Sequence, residues 1–430
     1  MKPCKLLLLV IALAVRLAHA GPQIEHWQTT SAARVFFVEN HALPMLDIEV
    51  DFVAGTAHEG EGRAGVAALT RELIELGVAG MDETQIASRL ADVGARLSGG
   101  VDRDRASLLL RTLSMADKRG PALAVLRAIV STPQFPVVVF DREKARSLAA
   151  LKEALTRPET LASRALWSAM YRSHPYGQQA TPESLTALQR ADVLAFHAAN
   201  YSAARATLAI VGDLSRAQAE ALAEELTAAL PSAPAVSEIV VPALPAASEQ
   251  RLAHPALQAH LLIGLPALKR GDPDFFPLLV GNYSLGGGGF VSRLMKEVRE
   301  QRGLAYSVHS AFLPLAQLGP FQIGLQTRKA QVDEALQLTR AVLSGFLEQG
   351  SGDAELRAAK ENLIGSFPLR LDSNRKILDN VALIGFYQLP LDYLDHYPEN
   401  IARVTVAEVK AAFQRHVRLE HLATVIVGGE

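Results

Sequence analysis

Arg299 and Tyr306 stand seven positions apart, where the residue pattern passes from a helix to a strand. A guanidinium offers a rigid set of donors to a peptide carbonyl, and a phenol can donate to an oxyanion. The plainer alternative is a helix-end charge and a core aromatic. Other residues offer less. The twelve histidines are scattered: His58 adjoins Glu59 in a glycine-rich loop, and His174, His197, His254, His260 and His309 have no partner at helical spacing. They read as satisfied core or surface imidazoles. The run Gly286–Gly289 precedes a helix whose N–H groups suit phosphate, but no Lys-Ser/Thr follows, as a Walker loop requires. No G-x-S-x-G elbow marks a serine hydrolase.

The elements that position Arg299 and Tyr306 lie in the stretch Phe290–Phe312. Val291, Leu294, Met295 and Val298 fall at i, i+3, i+4 and i+7, the apolar stripe of a helix. Gly303 is the expected C-cap, and Ala305–Phe312 alternates as a strand. Arg299 therefore falls in the last helical turn and Tyr306 at the start of the strand.

Residues 1–20 form a different signal. Lys2 and Lys5 precede the apolar run Leu6–Val15, and Ala18-His19-Ala20 is the small-x-small pattern of a cleaved export signal. Arg16 interrupts the apolar end, so a membrane anchor is not expected, and a mature chain beginning at Gly21 in the periplasm is. The single cysteine, Cys4, lies inside this segment, which leaves the mature chain without disulfides, Cys-ligated metal or a thiol nucleophile. Losing Lys2, Lys5 and Arg16, with no acid among these residues, takes the net charge from −2 to −5. A mildly acidic chain without basic clusters is not a nucleic-acid binder. The 410 residues that remain are too many for one core.

From Arg34 onward the pattern is mixed. Arg34–Val38 and Met45–Val53 read as strands; in the second, Leu46, Ile48, Val50 and Phe52 alternate with Asp47, Glu49 and Asp51, predicting a half-buried antiparallel strand. Helices follow at Gly65–Leu76, Asp82–Asp92, Lys118–Val130 and Phe140–Leu155, with a strand at Ala106–Leu113. This is an α+β arrangement rather than a doubly wound parallel sheet. A helix at Asp192–Tyr201 and a strand ending Ile210-Val211-Gly212 recur at Val406–Phe413 and Ile426-Val427-Gly428, the two Ile-Val-Gly runs lying 216 positions apart. Such a repeat predicts two similar halves, residues 21–230 and 251–430, joined by the Pro-, Ala- and Ser-rich linker 231–250.

The glycine run and the segment R-L-x-x-x-V-R-x-x-x-G-L-A-Y resemble the C-terminal half of pitrilysin/insulinase-type zinc peptidases. The resemblance, which extends over the mature chain, implies two α+β halves, each an antiparallel sheet with helices, closing like a clam shell. It also implies that Arg299 and Tyr306 project into the active site from the half without the metal. The family's zinc helix carries H-x-x-E-H, with two His ligands one turn apart and a Glu base; a third ligand, Glu, comes from a later helix. Here those positions hold Ala68, Arg71 and Glu72, and the third falls near Ala150. A zinc site needs three protein donors, and Ala68 and Ala150 offer none. Arg71 is expected to set a positive charge where the cation would sit. Glu72, Glu75 and Glu153 read as solvated acids paired with Arg71 or Lys152.

The resemblance thus implies a degenerate zinc site and no cofactor in this chain. It implies a zinc-free subunit that supplies Arg299 and Tyr306 to a homologous zinc-bearing partner, which hydrolyses peptides. The alternative is a non-catalytic scaffold or peptide-binding protein with the same fold.

Overall fold

A computed structural model describes residues 21–231 and 239–428. The expected export signal, with Cys4, and residues 232–238 of the linker lie outside the described residues.

Two mixed sheets dominate. The first has six strands, β1 (Glu25–Gln28), β2 (Arg34–Glu39), β3 (Met45–Phe52), β6 (Arg96–Val101), β7 (Ala106–Leu113) and β8 (Ala206–Gly212), in the order β1-β2-β8-β3-β7-β6. A small hairpin, β4 (Gly77–Val78) and β5 (Met81–Asp82), stands apart. The second sheet has β9 (Ser248–Leu252), β10 (Gln258–Leu268), β11 (Val308–Phe312), β12 (Gly319–Arg328) and β13 (Ala423–Val427), in the order β11-β12-β10-β13-β9. Without β1, the two orders superimpose strand for strand. The sequence repeat falls on β8 and β13, which occupy the same place in the two sheets. The expected antiparallel sheets are corrected at one pair each: β2 runs parallel to β8, and β9 to β13. The last residues of the expected linker, Ser248–Gln250, already belong to β9.

Four helices bear on the site: α1 (Val66–Leu73), α2 (Val137–Ala154), α3 (Pro158–Tyr171) and α4 (Asn374–Phe386). The halves exchange helices. α3 leaves the first half to pack on β10 and β13, while α4 leaves the second to cross β2, β3 and β8. Gly385 on α4 has no side chain because the Phe36 ring fills that space; a Cβ there would lie 2.6 Å from it.

This exchange overturns the reading of β3 as half-buried. Asp47, Glu49 and Asp51 are covered as fully as Leu46, Ile48, Val50 and Phe52 on the other face. The alternation was real, but α4 covers the polar face. The carboxylates survive there by pairing: Arg111 donates to Asp47 at 2.6 and 3.1 Å, and Arg105 to Asp51 at 2.6 Å. Burial holds both Glu49 and Asp51 above the usual carboxylate range, since one Arg105 serves both.

Asp104, in the turn between β6 and β7, joins the halves. Its Oδ1 accepts from the Tyr176 hydroxyl at 2.5 Å. Its Oδ2 accepts from the Ala316 amide at 2.8 Å and the Tyr387 hydroxyl at 2.9 Å, both in the second half.

Candidate functional site

Arg299 lies on a helical stretch between β10 and β11, the place in the second half that α1 holds between β3 and β6 in the first. That stretch is less regular than the expected helix. A 3-10 turn, Gly289–Val291, precedes a wider coil, Met295–Gln301, with i→i+5 spacing. It stops at Gly303, whose φ of +61° suits glycine; the Gly303 amide donates to the Arg299 carbonyl at 2.9 Å. Val298 and Leu294 are fully buried, as their spacing predicts.

Strand pairing begins only at Val308, opposite Leu325, so Tyr306 lies in the connecting turn and not at the start of the strand. It is 82% exposed, which rules out a core aromatic. The Arg299 guanidinium sits 5.1 Å from the Tyr306 ring and 4.7 Å from the ring of Phe290, held between two aromatic faces. Arg293, six positions earlier, has another role: it is bidentate on Glu355 at 2.8 and 2.6 Å and donates to the Gly350 carbonyl. Arg299 makes no ion pair among the described residues. One arginine of the segment pins the fold, and the other rests against two aromatic rings.

A cavity of about 360 Å³ opens beside Tyr306, lined also by His260, His309, Gln326 and, from α3 of the other half, Glu159. Burial lowers the His260 pKa, which favours its neutral form. No sequence signal linked His260, His309 and Glu159; the register of β10, β11 and β12 and the exchanged α3 bring them together.

In the first half, α1 and α2 pack side by side. Glu72 accepts from Ser147 Oγ at 3.2 Å, and its pKa is raised, first by burial. Ala150 lies three positions beyond Ser147, hence on the same face of α2. Ala68 and Ala150 present only exposed methyl groups. Glu143, buried on α2, is neutralised by Arg142 at 2.7 Å and Arg146 at 3.5 Å. Glu72 is thus the one carboxylate free to bind a cation at positions 68, 72 and 150, and a three-donor zinc site does not fit.

Arg71 forms the expected pair with Glu75, but its other donors are committed elsewhere. It is buried, and its guanidinium donates to the Ser107 carbonyl at 2.6 Å and the Ser98 carbonyl at 3.0 Å, with Glu75 at 3.5 Å. It braces α1 against β6 and β7 and makes no ion pair with Glu72.

Glu59 carries a structural role that its loop context concealed. It is 3% exposed, and its Oε1 accepts from the Gly65 and Ala67 amides at 2.9 and 3.0 Å, capping α1. Burial pushes its pKa up to about 7, against those hydrogen bonds and Arg103. Among the described residues, one trio has metal-like spacing, Asp272, Asp274 and His416. Arg415 occupies both Asp274 oxygens at 2.8 and 2.7 Å, which makes it an ion-pair cluster.

With this geometry in hand, known proteins compare as follows. The model of the insulinase family (peptidase family M16) matches residues 34–182, and that of the peptidase M16 inactive domain matches residues 187–363. A Helicobacter pylori protein named non-peptidase homolog YmxG is 26% identical over 433 residues, covering 99% of each chain. The crystal structure of a peptidase M16 inactive domain from Pseudomonas fluorescens has 39% identity and a TM-score of 0.91, covering 95% of this chain and 98% of that one. A protease from Helicobacter pylori, at 16% identity and a TM-score of 0.85 over 95% of this chain and all of that one, shares the fold. Both halves of the chain are accounted for by matches of one kind, and the protein belongs to the insulinase family of peptidases, M16.

Proposed function

We propose that this chain is the zinc-free subunit of a two-chain peptidase, exported to the periplasm, which lends Arg299 and Tyr306 to a homologous zinc-bearing partner. The observation that carries this reading is the state of the pair: Tyr306 is exposed, and the half-buried Arg299 has aromatic neighbours in place of a carboxylate. A chain with alanine at two of its own ligand positions has no use for such a pair unless a partner presents the metal to it. The partner's zinc would supply the activated water. Arg299 would hold the peptide carbonyl through its N–H donors, and the Tyr306 hydroxyl would donate to the oxyanion formed on attack. The cavity beside Tyr306 offers the adjoining peptide residues a place to lie. The name of the Helicobacter pylori relative, a non-peptidase homolog, agrees with a chain that does not cleave alone.

The second reading, a scaffold or peptide-binding protein without catalysis, draws on the same stack: Phe290 and Tyr306 hold Arg299 as a packed unit, and this suffices for binding. The two separate by experiment. The mature chain alone is expected to hold far less than one zinc per molecule and to cleave no peptide. Co-expressed with a homologue bearing an intact H-x-x-E-H helix, it is expected to co-purify and restore hydrolysis. One tightly held zinc per chain, or full activity of the partner alone, would overturn the subunit reading.

A further inference from the structure

The seam between the halves holds a second cavity, of about 710 Å³, walled by both halves and by Ile239 and Val241 of the linker. Its apolar surface comes from Val53, Ile239, Val241 and Phe386. Its charged lining is unbalanced: Arg34 enters from the start of β2, Lys269 and Arg270 from the end of β10, and the sole carboxylate is Asp104. Asp104 is already committed to the two tyrosine hydroxyls and the Ala316 amide. None of the three cations is ion-paired among the described residues. The neutral protein partners they do have are few. Arg34 donates to Thr207 Oγ1 at 2.8 Å, and Arg270 stacks 5.4 Å from the Tyr387 ring. Arg34 Nη1 and Arg270 Nε are buried with no acceptor. His58, also on the wall, is held neutral by burial and by Arg205, with its pKa lowered to about 4.

Buried guanidinium groups are ordinarily matched by carboxylates. Here the one carboxylate that acts on Arg34 from beyond the wall is Asp51, already paired with Arg105, and burial still lowers the Arg34 pKa. A pocket whose wall carries three cations to one committed carboxylate concentrates counter-ions. We infer that the inter-half cavity is a binding site for a small organic polyanion whose carboxylate or phosphate groups pair with Arg34, Arg270 and Lys269. The planar fork of arginine suits both oxyanions, and the apolar wall suits a carbon body between them. Because residues of both halves form the lining, such a ligand would tie them together as Asp104 does.

The test is calorimetric titration of the mature chain with citrate, with fructose 1,6-bisphosphate and with inorganic phosphate, against sodium chloride at equal ionic strength. Saturable one-to-one binding of citrate or the bisphosphate is expected, with a matching rise in melting temperature; which of them binds tighter tells carboxylate from phosphate. Arg34→Met and Arg270→Met should each weaken it about 10-fold to 100-fold, the usual worth of a hydrogen bond to a charged group. Lys269→Met, at an exposed position, changes the charge without touching the core and should weaken it as well. Far-ultraviolet circular dichroism verifies that each variant is folded. No saturable binding of either organic anion, binding of inorganic phosphate alone, or affinity unchanged in folded Lys269→Met and Arg270→Met would each overturn the inference.

Discussion

The hydroxyl of Tyr387 donates to Asp104 Oδ2 at 2.9 Å, across 283 positions of chain and from one half of the molecule to the other. Asp104 also receives Tyr176 and the Ala316 amide, and burial is the main force raising its pKa. Asp104→Asn puts a donor where donors already converge and should cost about 1–3 kcal/mol, the cost of an unsatisfied buried group. Tyr387→Phe should cost about 1 kcal/mol, and the double variant less than the sum. Urea unfolding of the four proteins measures this. Strict additivity would mean that the contact does not join the halves.

Glu59 predicts an unusual pH dependence. Its folded pKa of about 7 lies above the ordinary 4.5, so the folded chain binds more protons than the unfolded chain between those values. Its contribution to stability therefore falls as pH rises through that window, by up to about 3 kcal/mol, and changes no further above it. His58 and His197 act oppositely. Burial lowers each to about 4, so stability rises from pH 4 to 6.5 as the unfolded imidazoles lose their protons. Glu59→Gln keeps the acceptor for Gly65 and Ala67 without the charge. Relative to the parent, it should be near neutral at pH 5 and stabilising at pH 8, as read from melting temperatures. The same difference at both pH values would refute the assignment.

Arg71→Met should destabilise by about 1.5–3 kcal/mol, because two carbonyls lose a charged donor. Arg146→Met, a far more exposed arginine, should change stability by less than about 0.5 kcal/mol. Denaturant midpoints distinguish a brace from a surface charge, and equal small losses would remove the role given to Arg71.

In the complex with a zinc-bearing partner, Arg299→Ala and Tyr306→Phe should each lower turnover by about 100-fold to 1000-fold, the usual worth of an oxyanion donor. Fold, pairing and the partner's zinc should stay intact, since Tyr306 is exposed and loses only its hydroxyl. Arg299→Ala should also raise KM, because its donors grip the peptide before reaction as well. Wild-type turnover in both variants would leave the scaffold reading.

The Gly21 amide nitrogen donates to Asp395 Oδ1 at 2.7 Å. If export removes residues 1–20, that nitrogen becomes an ammonium and the contact an exposed ion pair worth less than about 1 kcal/mol. Intact-mass measurement of the exported protein should find Gly21 first and no change on adding reductant. A mass that includes Met1 or Cys4 would contradict this.

The sequence by itself determined the local structure and the repeat. The apolar period placed a helical stretch that buries Leu294, Met295 and Val298 and ends at Gly303, because one-dimensional spacing dictates which face can be buried; Val291, read as part of that face, is exposed in the turn before it. The recurrence of Ile-Val-Gly marked β8 and β13, and the alanines at positions 68 and 150 fixed, by lacking donor atoms, that two of the three zinc ligands are missing. Tertiary structure decided what depends on contacts between distant residues. Alternation along β3 states that one face is polar, but only the exchange of α4 determines that this face is buried and that Asp47, Glu49 and Asp51 must find Arg105 and Arg111. Glu59 looked like a loop acid because nothing local reveals that its carboxylate turns back to cap α1. Arg71 could equally have faced Glu72; the nearby carbonyls of Ser98 and Ser107 drew it away, since a buried guanidinium goes where most acceptors converge. The approach of Arg299 to Phe290 and Tyr306, and the placing of Arg34 and Arg270 on one cavity wall, likewise follow from how coil and halves pack, which residue spacing does not encode.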